Sequence, residues 1–291
     1  MTLCHCCIIL LVKNRRNGEI MKFSILLSIY KKEKANHFKQ ALDSILNQTM
    51  EASEIVIIKD GPLSQELENI CIEFDRRYKG MFKFVLLKKN QGLGKALQIG
   101  LRYCTYDIVA RMDTDDIAKK DRFEKQIREF EKDDKLAILG SSIEEFSTTP
   151  DLIDSIRNVP LSNHEIRKYA KMRNPFNHMT VMFRKSAVLD VGSYQPFHLN
   201  EDYYLWYRLL NKGYKAKNLS ESLVYARVDK NMFQRRGGVK YFLQEVKLQN
   251  IFYTNHFINT FEYVRNIGMR MSARLLPNAI RGILYRKYMR K

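Results

Sequence analysis

The chain has 291 residues, 45% hydrophobic and 28% charged, enough to bury a sizeable core in one large or two small domains. Its 50 Lys and Arg against 32 Asp and Glu give a formal charge of +18, which draws anionic partners such as phosphates, nucleic acid or acidic lipid without choosing among them. The longest apolar run, Cys6 to Val12, falls far short of the roughly 20 residues a membrane-spanning helix needs, so none is expected.

Met1 to Ile20 lacks the order of a secretory signal, because Lys13, Arg15 and Arg16 follow the apolar stretch instead of preceding it. We therefore expect a cytoplasmic protein in which residues 1–20 form a disordered extension or a mis-assigned start, with Met21 as the alternative first residue. The five cysteines, at 4, 6, 7, 71 and 104, form no regular framework and read as reduced thiols. The Cys4-His5-Cys6-Cys7 cluster has ligand chemistry without the spacing of a zinc site.

The ordered pattern begins with Phe23 to Tyr30, a charge-bounded apolar run that reads as a buried parallel strand. Phe38, Leu42, Ile45 and Leu46 then recur at helical spacing, with Lys39, Gln40 and Asp43 on the opposite face. The alternation repeats: strand Ile55 to Ile58, a helix carrying Leu67, Ile70, Cys71, Phe74 and Tyr78, strand Phe82 to Leu87, a helix carrying Leu93, Leu97, Leu101 and Cys104, and strand Asp107 to Met112. Strands alternating with helices imply right-handed crossovers and a mostly parallel sheet covered on both faces, with ligands at the carboxyl ends of its strands.

Beyond Phe130 the pattern weakens. A strand over Ala137 to Leu139, a helix from His164 to Met172, a strand from Met179 to Phe183, a turn at Gly192 and a helix from Glu201 to Asn211 stopped by Gly213 are predicted. Boundaries are set at 21–230 for the α/β domain and 231–291 for a basic helical C-terminal region.

Polar and acidic residues stand at the predicted strand ends: Ser28 and Tyr30, Asp60, Asn90 with Gly92, and Asp113-Thr114-Asp115-Asp116. In Asp113-Thr114-Asp115 an extended backbone turns both carboxylates to one side, where they could share a hard divalent ion such as Mg²⁺ or Mn²⁺. The plain alternative is an acidic turn that caps the following helix. Gly92-Leu93-Gly94-Lys95 sits where phosphate loops sit. Leu97 breaks the dinucleotide spacing, and Lys89 and Ala96 break the P-loop pattern, although Lys95 can still reach a diphosphate.

Together these residues resemble the family-2 glycosyltransferases of the GT-A fold. The resemblance runs from Phe23 to about Leu210, through Arg122-Phe123, Asn177-His178, Gly192-x-Tyr194 and Glu201-Asp202. It implies an inverting transfer of one sugar from a nucleotide-sugar donor, UDP-linked, to a saccharide or undecaprenyl-diphosphate-linked acceptor of surface-polysaccharide synthesis. In that scheme Ser28 and Tyr30 line the nucleotide, Asp60 bonds its base or ribose, and Asp113 reaches the ribose or the metal. Asp115 holds Mn²⁺ or Mg²⁺, with Asp116 an alternative to Asp113. Asp202 is the general base, removing the acceptor proton as the hydroxyl attacks. Glu201 orients the acceptor, and Lys95, Arg235 and Arg236 meet the diphosphate.

The motif of processive synthases is absent, which favours single-sugar addition. Two rivals are a basic nucleic-acid-binding protein and a nucleotidyltransferase. No RNA-binding signature is present, so no nucleic-acid partner is expected, and the loop Lys31 to Lys34 after the first strand lacks the glycines of a nucleotidyltransferase. After Glu262 there are eight Lys or Arg and no acid. Apolar stripes at Val264, Ile267, Met271 and Leu275, and at Ile280, Ile283, Leu284 and Tyr288, leave two readings open: a helix on an anionic membrane surface, or a charged helix packed on the catalytic domain.

Overall fold

The computed structural model describes residues 21–197, 199–228 and 238–275. Strand β1 (Phe23–Ile29) is followed by α1 (Ala35–Leu46), β2 (Glu54–Lys59), α2 (Gln65–Arg77), β3 (Phe82–Leu86), α3 (Leu93–Tyr103) and β4 (Ile108–Arg111). The first four strands are parallel and lie in the order β3, β2, β1, β4, as expected of crossover units.

Burial on both faces follows from their alternation. Phe23, Ile25, Leu27 and Ile29 of β1, with Ile55 and Ile57 of β2, meet α1 and α2 through Phe38, Leu42, Leu67 and Phe74. Leu26, Val56 and Ile58 point the other way, to Ala96, Leu97 and Leu101 of α3. Ser64 caps α2 by accepting the Leu67 N–H, and Glu66 and Glu68 suit the positive end of that helix.

The second half contributes β5 (Ile117–Ala118), α4 (Arg122–Lys132), β6 (Leu136–Phe146), β7 (Ser155–Arg157), α5 (Asn163–Ala170), a single 3₁₀ turn (His178–Thr180), β8 (Met182–Arg184), α6 (Lys185–Asp190), α7 (Glu201–Asn211) and β9 (Lys215–Arg227). The sheet continues β4, β8, β6, β9, β5, with β7 on β6; β8, β7 and β5 run antiparallel to their neighbours, while β6 and β9 are parallel. The short β5 and α6 have no counterpart in the sequence reading, and three larger features depart from it. β6 extends well past Leu139, β9 was not foreseen, and the expected strand Met179 to Phe183 begins as the 3₁₀ turn.

The C-terminal region forms α8 (Val239–Thr254) and α9 (Thr260–Leu275), which pack as a hairpin: the Gly238 N–H meets the Arg274 carbonyl at one end and Tyr253 meets Tyr263 at the other. Phe252 and Leu248 dock it on Tyr203 and Tyr207 of α7. The α9 stripe does not face the protein as one apolar seam. Val264 and Met271 are exposed, Ile267 is half-buried, and the inward positions are Asn266 and Arg270. The second stripe, Ile280 to Tyr288, lies outside the described residues.

Candidate active site

The carboxyl ends of β1, β2 and β4 share one rim, since Ile29 pairs with Lys59 and Leu26 with Arg111 in parallel register. Ser28 is half-buried within β1, and Tyr30 follows the strand at 36% exposure. Asp60, directly after β2, is buried, and its two carboxylate oxygens accept the backbone N–H groups of Gln91 (2.7 Å) and Gly92 (2.9 Å). It thereby orders the Asn90-to-Gly92 loop, and only its remaining lone pairs are left for a ligand. Gly61 allows the close approach: its φ is +89°, and a Cβ there would stand 2.7 Å from the Asn90 nitrogen.

Arg111 ends β4 fully buried, and its Nη1 lies 2.5 Å from the Asp113 carboxylate. Desolvation opposes that guanidinium charge, but Asp113 more than compensates, so its pKa is raised. Asp115 has no side-chain ion pair among the described residues. Burial, reinforced by the charge of Asp113, pushes its carboxyl up to about 6. Asp116 is buried and accepts the Arg227 N–H at 2.7 Å; burial first, then Asp115 and Asp113, drive its carboxyl well above the usual range. Arg227 completes the turn, donating from Nε to the Asp115 carbonyl at 3.0 Å while stacking on Phe146. Arg122, seen in the sequence only as part of the resemblance, lies behind the turn and donates to the Arg111 carbonyl at 2.7 Å.

A divalent cation fits these residues. Asp115 is a half-buried carboxylate whose ionised form is only partly compensated by Arg111 and Arg227, and Asp113 keeps one edge toward solvent. Among the described residues no three acid, His or Cys side chains converge as a closed cage. An ion held by one or two carboxylates completes its shell from water and diphosphate oxygens, the usual habit of Mg²⁺. Asp116, committed to β9, is the least available of the three.

The second group of acids opens α7. Glu201 packs beside α3, so close that a Cβ on Gly94 would meet the Glu201 Cβ at 3.0 Å. Burial pushes the Glu201 carboxyl up to about 7, with the charge of Asp202 adding to the effect and Arg111 opposing it. Asp202 accepts from Asn174 Nδ2 at 2.6 Å and from the Tyr203 N–H at 2.7 Å. Beneath the acids, His178 Nε2 and the Tyr194 hydroxyl are 3.1 Å apart, and both rings pack on Trp206. Burial, helped by Arg111, holds His178 well below its ordinary value, so it is neutral.

The structure thus brings Asp113, Asp115 and Glu201 within reach of the charge of the buried Arg111, with Asp202 beside Glu201 and Asp60 at the end of β2 on the same sheet edge. Lys95 stands on the first turn of α3 and donates to Gln98 of its own helix at 2.7 Å; among the described residues it makes no ion pair. Arg235 and Arg236 lie outside the described residues. Sequence reasoning missed Arg111, Arg227 and Asn174. Arg111 left a signal, because an arginine inside the apolar run Ile108 to Met112 needs a buried partner, and Asp113 two residues on is on the same face. Asn174, in an irregular loop, left none.

A mixed sheet with helices on both faces and acids at the ends of its parallel strands has the architecture of the GT-A type sugar transferases. The chain belongs to glycosyl transferase family 2, whose family model matches residues 24–195. It is 40% identical over 270 residues to the Escherichia coli UDP-Gal:alpha-D-GlcNAc-diphosphoundecaprenol beta-1,3-galactosyltransferase, covering 93% of this chain and 97% of that protein. Among solved structures it is similar to S. aureus TarS in complex with UDP-GlcNAc (TM-score 0.60, 18% identity, 92% of this chain and 72% of that one). It is also similar to the mannosyltransferase PcManGT of Pyrobaculum calidifontis with GDP-Man and Mn²⁺ (TM-score 0.60, 13% identity, 86% of this chain and 69% of that one). At such identities the structures speak for the fold alone. The family assignment makes the protein a glycosyltransferase and favours sugar transfer over nucleotidyl transfer.

Proposed function

We propose that the protein moves one hexose from a UDP-linked donor to an undecaprenyl-diphosphate-linked saccharide, with inversion at the anomeric carbon and with Mn²⁺ or Mg²⁺ bound. The observation that carries this reading is the shared rim, where the acid turn after β4 and the acids opening α7 are close enough for Asp113 and Arg111 to act on Glu201. Donor and acceptor classes are taken from the E. coli relative, whose name states both. A metal is supported by the under-compensated Asp115 and by the Mn²⁺ bound in PcManGT.

In this scheme Asp113 and Asp115 hold the ion, which when bound neutralises the diphosphate leaving group. Tyr30, Ser28 and the loop ordered by Asp60 receive the nucleotide. Asp202 takes the acceptor hydroxyl proton as that oxygen attacks the anomeric carbon, and Glu201 orients the acceptor. The catalytic unit is 21–230, and the C-terminal region 231–291 follows it. Thermal-shift titration with UDP-Gal, UDP-GlcNAc and GDP-Man, each with and without Mn²⁺, tests the reading. Metal-dependent stabilisation by a UDP-sugar supports it, and equal indifference to all three donors overturns it.

The same reading places the enzyme on the inner face of the cell membrane. Among the described residues no helix is long and apolar enough to cross a bilayer. Phe261, Val264 and Met271 nevertheless expose one apolar line on α9 at 74%, 63% and 51%, and α8 exposes Val239 and Leu243. Apart from the inward Arg270 and Arg274, six cations and no acids follow Glu262, and they favour an anionic lipid surface as its partner, because a second copy of a chain of charge +18 would be repelled.

A further inference from the structure

The C-terminal hairpin is built with a polar interior. Asn266 and Gln249 are fully buried, Arg270 and Glu245 nearly so, and Arg274 pairs with Glu245 at 2.8 Å. Burying so many polar groups is costly unless each finds a partner, and an apolar seam would hold two helices together at least as well. The partners these groups find point to a purpose beyond adhesion.

Helix α5 ends at Ala170, and the last carbonyls of a helix have no acceptor role within it. Here the Ala170 carbonyl, and those of the two residues that follow the helix, are taken up by side chains from two other helices. The Tyr203 hydroxyl of α7 donates to the Ala170 carbonyl at 2.6 Å. Asn266 Nδ2 of α9 donates to the Lys171 carbonyl at 2.7 Å, and Arg270 Nη2 to the Met172 carbonyl at 2.8 Å. Lys171 is further tied to Glu262 at 3.1 Å. Two residues beyond Met172, Asn174 donates to Asp202 at 2.6 Å, while its own Oδ1 receives the Phe176 N–H at 3.2 Å.

We infer that the C-terminal hairpin is a positioning clamp for the proposed base: Asn266 and Arg270 fix the 171–174 loop, and Asn174 on that loop sets the Asp202 carboxylate. Neither hairpin residue touches the reacting atoms, so both are positioning residues, and the inference rests on the assignment of Asp202 as base. A carboxylate held by an amide donor keeps a fixed orientation toward the acceptor proton. A loosened loop lets it rotate, and small misplacements of a catalytic group are expensive in rate.

The test uses the full chain and a double-mutant cycle. Arg270→Met keeps much of the side-chain volume and removes the donors; Asn174→Ala removes the contact to Asp202. Each single variant is expected to lower kcat by about tenfold or more while leaving the UDP-sugar KM and affinity within about twofold, and the double variant is expected to lose no more than Asn174→Ala alone. Losses that multiply, or an unchanged kcat in Arg270→Met, overturn the clamp. If Arg270→Met melts out, Asn266→Ala, which removes a single amide, is read in the same cycle. The base assignment is judged separately: full turnover by Asp202→Asn removes that assignment, whereas an inactive Asp202→Asn beside a normal Arg270→Met removes only the clamp.

Discussion

Arg111 neutralises Asp113 from below, Nη1 to carboxylate oxygen at 2.5 Å, whereas Asp115, two residues on, makes no side-chain ion pair among the described residues and is pushed up to about 6. Asp115→Asn therefore has two opposite effects. Without metal the variant melts above wild type at neutral pH, since the repulsion between Asp115 and Asp113 is gone. With metal it loses the Mn²⁺-dependent part of UDP binding, and sugar transfer is abolished. Differential scanning fluorimetry with and without Mn²⁺, beside a transfer assay, reads both; turnover by the variant at the wild-type rate in the presence of a chelator contradicts the assignment.

Gly61 is the point at which β2 presses on the donor loop. A side chain there meets a backbone nitrogen, which cannot swing away, and must also adopt φ +89°. Gly61→Ala is expected to cost roughly 1–3 kcal/mol and to weaken UDP binding by displacing the loop that Asp60 orders. A chemical-denaturation midpoint equal to wild type would show that the Asp60-to-Asn90 contact is not tight in solution.

Much of this rim was legible in the sequence, because β1 to β4 carry unbroken apolar runs and the acids stand at their ends. The far half was less so. β6 continues through Gly140, Ser141 and Ser142, which look like a turn, yet they remain in the sheet because all three pair with β9 and because Thr180 and Asn177 satisfy the N–H and carbonyl of Ser141. β9 reads as Lys, Asn, Ser and Glu for its first half, and its strand character comes from pairing with β6 over many residues, a long-range contact with no local signature. The polar inner face of α9 was hidden for a related reason: Asn266 and Arg270 look solvent-facing until the carbonyls of residues 171 and 172 are placed opposite them.

The pH dependence of stability follows from Glu201. Its carboxyl is raised to about 7 in the fold from an ordinary 4.5, so between those values the folded state holds a proton that the unfolded state has released. Stability from this group is therefore greatest at low pH and declines as pH rises through that window. Glu201→Gln removes the proton exchange, and the melting temperature of the variant relative to wild type should increase from pH 5 to pH 8. A constant difference across that range would mean Glu201 is ionised throughout.

Membrane contact is tested on the exposed line of α9. Replacing Phe261, Val264 and Met271 together by Ser leaves the buried polar face intact and should release the protein from vesicles rich in anionic lipid. Wild-type binding should weaken with salt, because the Debye length falls to about 3 Å at 1 M. Equal sedimentation with neutral and anionic vesicles would leave the packed-helix reading of the C-terminal region.

Asp202 distinguishes base from binding residue most directly. It is asked to accept a proton only while the acceptor attacks, so Asp202→Asn should keep nucleotide-sugar affinity and lower turnover by roughly 10²- to 10⁴-fold, the usual range for a positioned general base. The substitution keeps size and removes basicity. The Asn side chain has one oxygen for two donors, so it keeps the contact to Asn174 Nδ2 at 2.6 Å only by giving up the bond from the Tyr203 N–H at 2.7 Å. Equilibrium binding of UDP-sugar is measured beside single-turnover transfer on one preparation. Collapse of affinity with a near-normal rate per bound complex makes Asp202 a donor-binding residue. No change in either moves the role to Glu201, whose carboxyl at about 7 is itself poised to exchange a proton near neutral pH.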